Sequence, residues 1–332
     1  MFVTGESGSE LTKLASLLHG QVRLARFLIF QEGAQTATPT ETTAPELMEL
    51  ARMHLQQVAP QAAFVGGTDM YFCELNRTRP QVQSMDGIAY TIIPQAHAFD
   101  VRSLAETLEA QGETVRSARA FAAARQVIVS PITLKRRYNP HATEVEAEKA
   151  SDELPDAVDP RQMSLFGAGW TAGSLKYLSE SGAAALTYYE TVGWRGLMER
   201  ESGSSMAEHF PSAPEMVFPL YHVFADVAEW KEGLIVECAS NQPLEVAGFA
   251  VESGSTLHLL LANLTGVSLQ VAIGPFDAGI ALVRSLDAQT AHQAMFEPES
   301  FRQNWKQMEI QKGELSLDMA PYATVRIDVK RS

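Results

Sequence analysis

From Val22 to Tyr189 short apolar runs alternate with stretches of helical periodicity, and no other feature restricts the fold as much. The runs are Val22–Phe30, Ala62–Gly67, Gly87–Ile93, Gln126–Ser130 and Ala183–Tyr189. Short and nearly continuous, they have the pattern of strands covered on both faces, as in a parallel sheet. Parallel neighbours need long crossovers, and the intervening segments have helical spacing. Leu11, Leu14 and Leu18 form one apolar stripe before the first run. Thr43, Pro45 and Glu46 predict a capped helix start, followed by Leu47, Leu50, Ala51, His54, Leu55 and Val58 on one face until Pro60. Asp100 is expected to cap a helix over 101–124, broken near Gly112, and Ala172–Ser179 is the last helical stretch. Strand and helix in alternation predict βα units around a parallel sheet.

Past Gly233 the pattern changes. Leu234–Cys238, Leu244–Ala250, Thr256–Ala262, Ser268–Ile273 and Ala320–Val329 are short strands, most of them closely spaced. Asn241-Gln242-Pro243, Ser253-Gly254-Ser255 and Thr265-Gly266 supply turns between them. The expected fold class is therefore α/β, a TIM (β/α)8-type barrel over 1–232, followed by an antiparallel, sandwich-like β-domain over 233–332. Such a barrel has eight strands, and five runs precede the β-domain. The barrel is thus expected to be incomplete at its N-terminal side, with the missing barrel segment as a partner of this chain.

Charge restricts the partners. Forty acidic against 26 basic residues give a net charge of −14, which repels phosphate backbones and anionic lipid surfaces, so neither nucleic acid nor membrane is expected. Lys135-Arg136-Arg137 is too short to reverse this. Residues 1–20 lack a signal-peptide core, no apolar run approaches the ~18 residues of a membrane span, and the two cysteines, Cys73 and Cys238, lie far apart. A cytoplasmic location is expected. HExxH, CxxC, GxSxG and nucleotide-binding glycine patterns are absent, and no metal or cofactor is expected.

Polar residues gather just after the strands: Gln31-Glu32, Thr68-Asp69, Gln95 and His97, Lys135 and Arg137, Glu190. Barrel enzymes build their active sites at that end. Gly66–Pro80 is the densest of these segments. Behind its two glycines stand Asp69 and Glu74, the Asn76 amide, and Arg77 and Arg79, which suit acid–base work and the holding of an anion. The competing reading is a loop tied by its own ion pairs. His97 is a candidate base because an imidazole can exchange protons near neutrality, although a single histidine is often structural. Thr187–Gly196 ends a strand in a carboxylate, Glu190, with Tyr189, Trp194 and Arg195 beside it, an arrangement suited to a sugar-like ring. Its alternative is a structural Glu190–Arg195 pair.

These segments resemble the D-apionate lactonases, enzymes of apiose catabolism. Gly66-Gly67-Thr68-Asp69 with 74–80, Pro94–Asp100 and Thr187–Gly196 carry the resemblance, supported by Ser164–Thr171 and Val217–Val223. It implies a barrel related to glycoside hydrolases and the opening of a five-membered lactone of a branched sugar acid, D-apionolactone. The small sugar-acid lactone is then the expected substrate. The site chemistry itself assigns Glu190 or Glu74 as general base, with His97 as the alternative, and Arg77 or Arg195 as the oxyanion-stabilising group. Asp69, Gln95 and Tyr189 would orient hydroxyls, Asn76 would add a binding amide, and Trp194 would lie against the ring. Two other functions compete: a glycoside hydrolase using Glu74 and Glu190, whose separation would be about 5–5.5 Å for retention and about 6.5–9.5 Å for inversion, and a non-catalytic fragment.

Overall fold

The apolar runs do pair as one parallel sheet. The computed structural model describes residues 2–3, 6–18, 23–31, 42–137, 152–230 and 232–331. In chain order the elements are β1 (Phe2–Val3), α1 (Ser7–Leu17), β2 (Arg26–Leu28), β3 (Phe30–Gln31), α2 (Pro45–Leu55), β4 (Ala63–Tyr71), α3 (Phe72–Thr78), β5 (Gly87–Ile92), α4 (Val101–Glu106), α5 (Leu108–Phe121), β6 (Gln126–Ile132), α6 (Leu165–Glu180), β7 (Ala185–Tyr188) and α7 (Pro219–Glu229). Then follow β8 (Leu234–Val236), β9 (Val246–Ser253), β10 (Thr256–Asn263), β11 (Leu269–Ile273), β12 (Gly279–Leu286), α8 (Ala291–Phe296), α9 (Pro298–Arg302), β13 (Lys306–Ile310), β14 (Leu315–Met319) and β15 (Thr324–Lys330). By packing, these residues fall into two bodies: Met1–Ile93, Glu113–Glu148 and Ser181–Tyr188 in the first, and Pro94–Gly112, Lys149–Glu180 and Tyr189–Ser332 in the second.

The first body holds the sheet β2-β4-β5-β6-β7, every pair parallel. A doubly wound sheet reverses its strand order at a switch point. This one does not; each strand lies beside its predecessor, as barrel winding requires. It is a half-barrel. Phe30, Val65, Ala89 and Ile128 form a buried cluster, with Leu28, Ala63 and Ala185 packed against it. Pairing shifts register at Gly67/Tyr71, Tyr90/Ile92 and Val129/Ile132, toward the C-terminal ends of β4, β5 and β6. Such irregularities re-aim side chains. Gly67 is required here: its φ is +124°, and a Cβ would stand 2.2 Å from the Ala89 carbonyl oxygen.

Several local expectations change. Thr43 is not the cap of α2; Ala44 occupies that position. The Thr43 hydroxyl instead donates to the Ile29 carbonyl at 2.6 Å and accepts from Gly67 N–H at 3.1 Å, satisfying buried backbone beside β4. The polar segment after Gly67 is no loop: β4 continues to Tyr71, and Glu74, Asn76 and Arg77 ride on α3. Asp100 caps α4 as expected, accepting from Ser103 N–H at 2.9 Å. The helix breaks at Thr107, though, and Gly112 lies inside α5. The cause is local, because the Leu104 carbonyl accepts from the Trp170 indole at 3.2 Å and the Thr107 hydroxyl at 3.1 Å, in competition with the next helical turn. The first apolar run is interrupted at Ile29 and pairs as β2 and β3; Val22, Glu32 and most of the polar insertion after His141 lie outside the described residues.

In the second body six antiparallel strands run in the order β13-β12-β15-β10-β9-β8 and face the two-stranded ladder β11-β14. Leu315, Leu317 and Met319 of β14 share one core with Leu257, Leu259, Val325 and Ile327, making a sandwich of unequal layers. Sequence reading missed β12, β13 and β14. α6, buried along most of its length, packs on β9, β10 and α7. α7 is tied to the β-domain by Asp226, whose carboxylate accepts from Arg284, Arg302 and Arg326. Among the described residues no helix is long and apolar enough to cross a membrane.

Candidate active site

In the first body the re-aimed strand ends build a polar recess. Asp69, Tyr71, Thr91, Thr133 and Arg137 line it with Met70 and Ile93. Arg137 Nη2 donates to Asp69 Oδ1 at 2.6 Å, the carboxylate being almost fully buried. Burial raises the Tyr71 phenol, and Glu74 and Asp69 add to this against the opposing Arg136 and Arg137, so the phenol is a donor at neutral pH. The recess measures about 10 Å³, the room of roughly one water. It is a floor that can seat one polar group and is too small to enclose a sugar ring. Glu74 is buried on α3 with the exposed Arg77 at 3.6 Å, and exposed Asn76 accepts from Arg79 at 3.0 Å.

In the second body the chain leaves β7 through Tyr189, a non-glycine residue at φ +48°. That conformation is costly and is held by its buried ring, whose hydroxyl is 2.9 Å from Thr171 Oγ1 and whose edge meets Phe224 at 6.1 Å. The loop then folds on itself: Glu190 N–H donates to Arg195 O at 2.9 Å and Leu197 N–H to Thr191 O at 3.0 Å. The Arg195 guanidinium pairs with the Glu190 carboxylate. Glu190 is 51% exposed and Arg195 36%, so the pair is open to solvent. The Trp194 indole donates to Ser204 at 3.0 Å and lies 6.2 Å from buried Phe210, which fixes its ring.

The 3-10 turn Pro160–Met163 braces two loops of this body. Arg161 donates to Gln95 Oε1 at 2.9 Å, to the Phe99 carbonyl at 2.7 Å and to both oxygens of Asp159. Gln95 Nε2 donates to Asp159 at 2.6 Å. Burial alone would raise the Asp159 carboxyl, but Arg161 and Gln95 outweigh it and hold it below the usual range. The next residue, Gln162, donates to the Gly196 carbonyl at 3.0 Å. Neighbouring side chains thus grip the loop carrying His97 and the loop carrying Glu190, Trp194 and Arg195. His97 itself is exposed.

Of the expected site residues, Asp69, Glu74, Asn76 and Arg77 belong to the first body, and Gln95, His97, Tyr189, Glu190, Trp194 and Arg195 to the second. Both ends of the Gln95 amide are committed to the brace. Sequence reading missed Tyr71, Thr91, Thr133, Asp159, Arg161 and Gln162. Alternation along β4–β6 would have flagged the first three; the brace gives no local signal.

Two families match the chain: the one described as D-apionate lactonase, TIM barrel domain, over residues 2–232, and the one described as D-apionate lactonase, C-terminal immunoglobulin-like domain, over residues 243–327. A D-apionate lactonase of Brucella anthropi is 26% identical over 220 residues, 65% of this chain and 34% of that protein. The chain therefore spans about a third of that relative's length. Among solved structures, an α-L-arabinofuranosidase from Thermotoga maritima aligns with a TM-score of 0.62 at 13% identity, covering 99% of this chain and 75% of that one. CelM2, a bifunctional glucanase-xylanase from a metagenome library, aligns at 0.61 with 11% identity, covering 98% and 69%. At such identities these two likenesses concern the fold alone.

Proposed function

The chain belongs to the D-apionate lactonase family, and from that premise we propose that it opens a five-membered sugar-acid lactone, D-apionolactone, to the free acid in apiose catabolism. The match of the barrel family over residues 2–232 carries the choice of reaction. The solvent-open Glu190–Arg195 pair carries the choice of residues. We place the reaction in the cytoplasm, in keeping with an acidic chain whose two cysteines are both free.

Lactone opening needs an activated water and a donor for the oxyanion. Glu190 takes a proton from water as its oxygen attacks the carbonyl carbon. Arg195 leaves the carboxylate to stabilise the oxyanion. When the ring C–O bond breaks, the departing oxygen takes the proton back from Glu190, the new carboxylic acid releases its own proton to water, and Arg195 holds the resulting carboxylate. Trp194 lies against the ring. Gln95 and Tyr189, buried and engaged, act by fixing the loops on either side. Glu74 with Arg77, and exposed His97, are the alternatives for the base and the anion-holding group.

Glu190→Gln keeps shape but cannot accept the proton, so kcat is expected to fall at least about a hundredfold with KM nearly unchanged. Arg195→Lys replaces a planar fork by a point charge and is expected to worsen both parameters. Full activity in Glu190→Gln moves the base to Glu74 or His97.

A further inference from the structure

We propose that the C-terminal β-domain carries a second ligand site, a groove bordered by β12, β13 and β14 that binds a neutral saccharide. The groove has a volume of about 410 Å³, within the range of roughly 300–1,000 Å³ usual for small-molecule sites. Its apolar wall is Trp305 with Met308 and Leu317. Its polar rim is Ser285, Asn304, Lys306, Ser316 and Asp318.

Trp305 is fixed in place before any ligand arrives. Arg284 lies 4.6 Å and Arg326 5.0 Å from its ring centroid. Arg284 also lies over Phe301 and Arg326 over Trp230, each at 5.4 Å. Both guanidinium groups donate to the same oxygen of Asp226. Arg284 and Arg326 are also cross-strand partners on β12 and β15, and Arg284 and Phe301 line the groove beside the indole. The groove thus meets the indole as a rigid platform whose ordering cost is already met.

The rim has the complementary property. Among the described residues, the side chains of Ser285, Asn304, Lys306, Ser316 and Asp318 make no hydrogen bond or ion pair, whereas the arginines behind the ring are all committed to carboxylates. Amide and hydroxyl groups both donate and accept, which matches hydroxyls that do the same. Lys306 and Asp318 bring opposite charges, so the rim favours neither an anion nor a cation. An apolar ring face with uncommitted donors and acceptors around it fits a sugar whose C–H groups lie on the indole and whose hydroxyls reach the rim.

Calorimetric titration of the full chain with xylobiose and with cellobiose tests this. At least one sugar is expected to bind with a Kd of about 1 mM or tighter. Ser316→Trp fills the groove from β14 while keeping Trp305 and its arginines, and is expected to weaken binding at least tenfold at an unchanged thermal midpoint. Asn304→Ala should weaken it severalfold. Trp305→Ala should abolish it, but it also removes the ring that Arg284 and Arg326 share, so Ser316→Trp is the deciding variant. D-gluconate, an anionic sugar acid, is expected to bind more weakly than the neutral sugars. Absence of binding by both sugars, wild-type affinity in Ser316→Trp, or a preference for gluconate each overturns the proposal.

Discussion

The second body contains carboxylate–arginine contacts of two opposite kinds. Asp226, 4% exposed, accepts from Arg284, Arg302 and Arg326 through one oxygen, and Arg326 and Arg302 also hold Glu229. Glu190 is 51% exposed and, among the described residues, pairs with Arg195 alone. Out of water and crowded with donors, Asp226 has no room for a substrate, and separating any of its contacts leaves a buried charge uncompensated. An exposed pair is worth only about 0–1 kcal/mol, so Arg195 can turn to a substrate oxygen and Glu190 to a water at little cost. The same two chemical groups serve as a structural lock in one place and, on the proposed function, as a reactive pair in the other, with burial and partner number separating the roles.

The strongest challenge to that contrast is Asp226→Asn. Removing one partner from a buried charge cluster costs about 3–5 kcal/mol, read by urea unfolding; a loss under about 1 kcal/mol puts Asp226 on the footing of Glu190. Next comes pH. His222, beside Asp226 on α7, donates from Nε2 to the Ala294 carbonyl at 2.9 Å and is pushed down to about 4, chiefly by burial, with Arg302 and Arg284 acting in the same direction against Asp226 and the Ala294 bond. The unfolded histidine titrates near ~6.5. Between these values the unfolded chain binds the proton and the folded chain does not. Stability from this group is therefore complete above about pH 6.5 and lost as pH falls toward 4, by up to about 3 kcal/mol. His222→Phe is expected to remove that slope, and a flat wild-type profile over the window contradicts the assignment.

A smaller effect sharpens the other side. Gln162→Ala frees the Gly196 carbonyl at a cost of about 1–2 kcal/mol, and the Glu190–Gly196 amides are expected to exchange faster with deuterium while those of β9 and β10 do not. Uniform exchange over both regions removes the brace. Smallest of all, Glu190→Gln should change unfolding free energy by less than about 1 kcal/mol; a larger loss makes the pair structural.

The half-barrel was readable because strands covered on both faces appear as unbroken apolar runs, and because Asp100 caps its helix within three residues. β13 was not, since Lys306–Ile310 is a mostly polar strand at the sheet edge. Thr43 misled because a threonine before a proline has the form of a cap, while its hydroxyl is taken by backbone at Ile29 and Gly67. Segments of the candidate site were visible as polar residues behind strands, but their connections were not. Asp69 meets Arg137 across 68 positions, Gln95 meets Asp159 across 64, and Asp226 meets Arg326 across 100. Such pairs have no spacing for a sequence to display. They exist only once the chain has folded.

We propose that the open Glu190–Arg195 pair serves lactone hydrolysis on a fold shared with glycoside hydrolases. Its most direct measurement is proton release by this chain on addition of D-apionolactone, run beside aryl arabinofuranoside and xyloside substrates, with intact-mass analysis of the protein. Stoichiometric acid release from the lactone is expected, at least about a hundredfold slower in Glu190→Gln, with no aryl glycoside turnover. Glycoside cleavage with a covalent sugar adduct on Glu190, and no lactone opening, contradicts it.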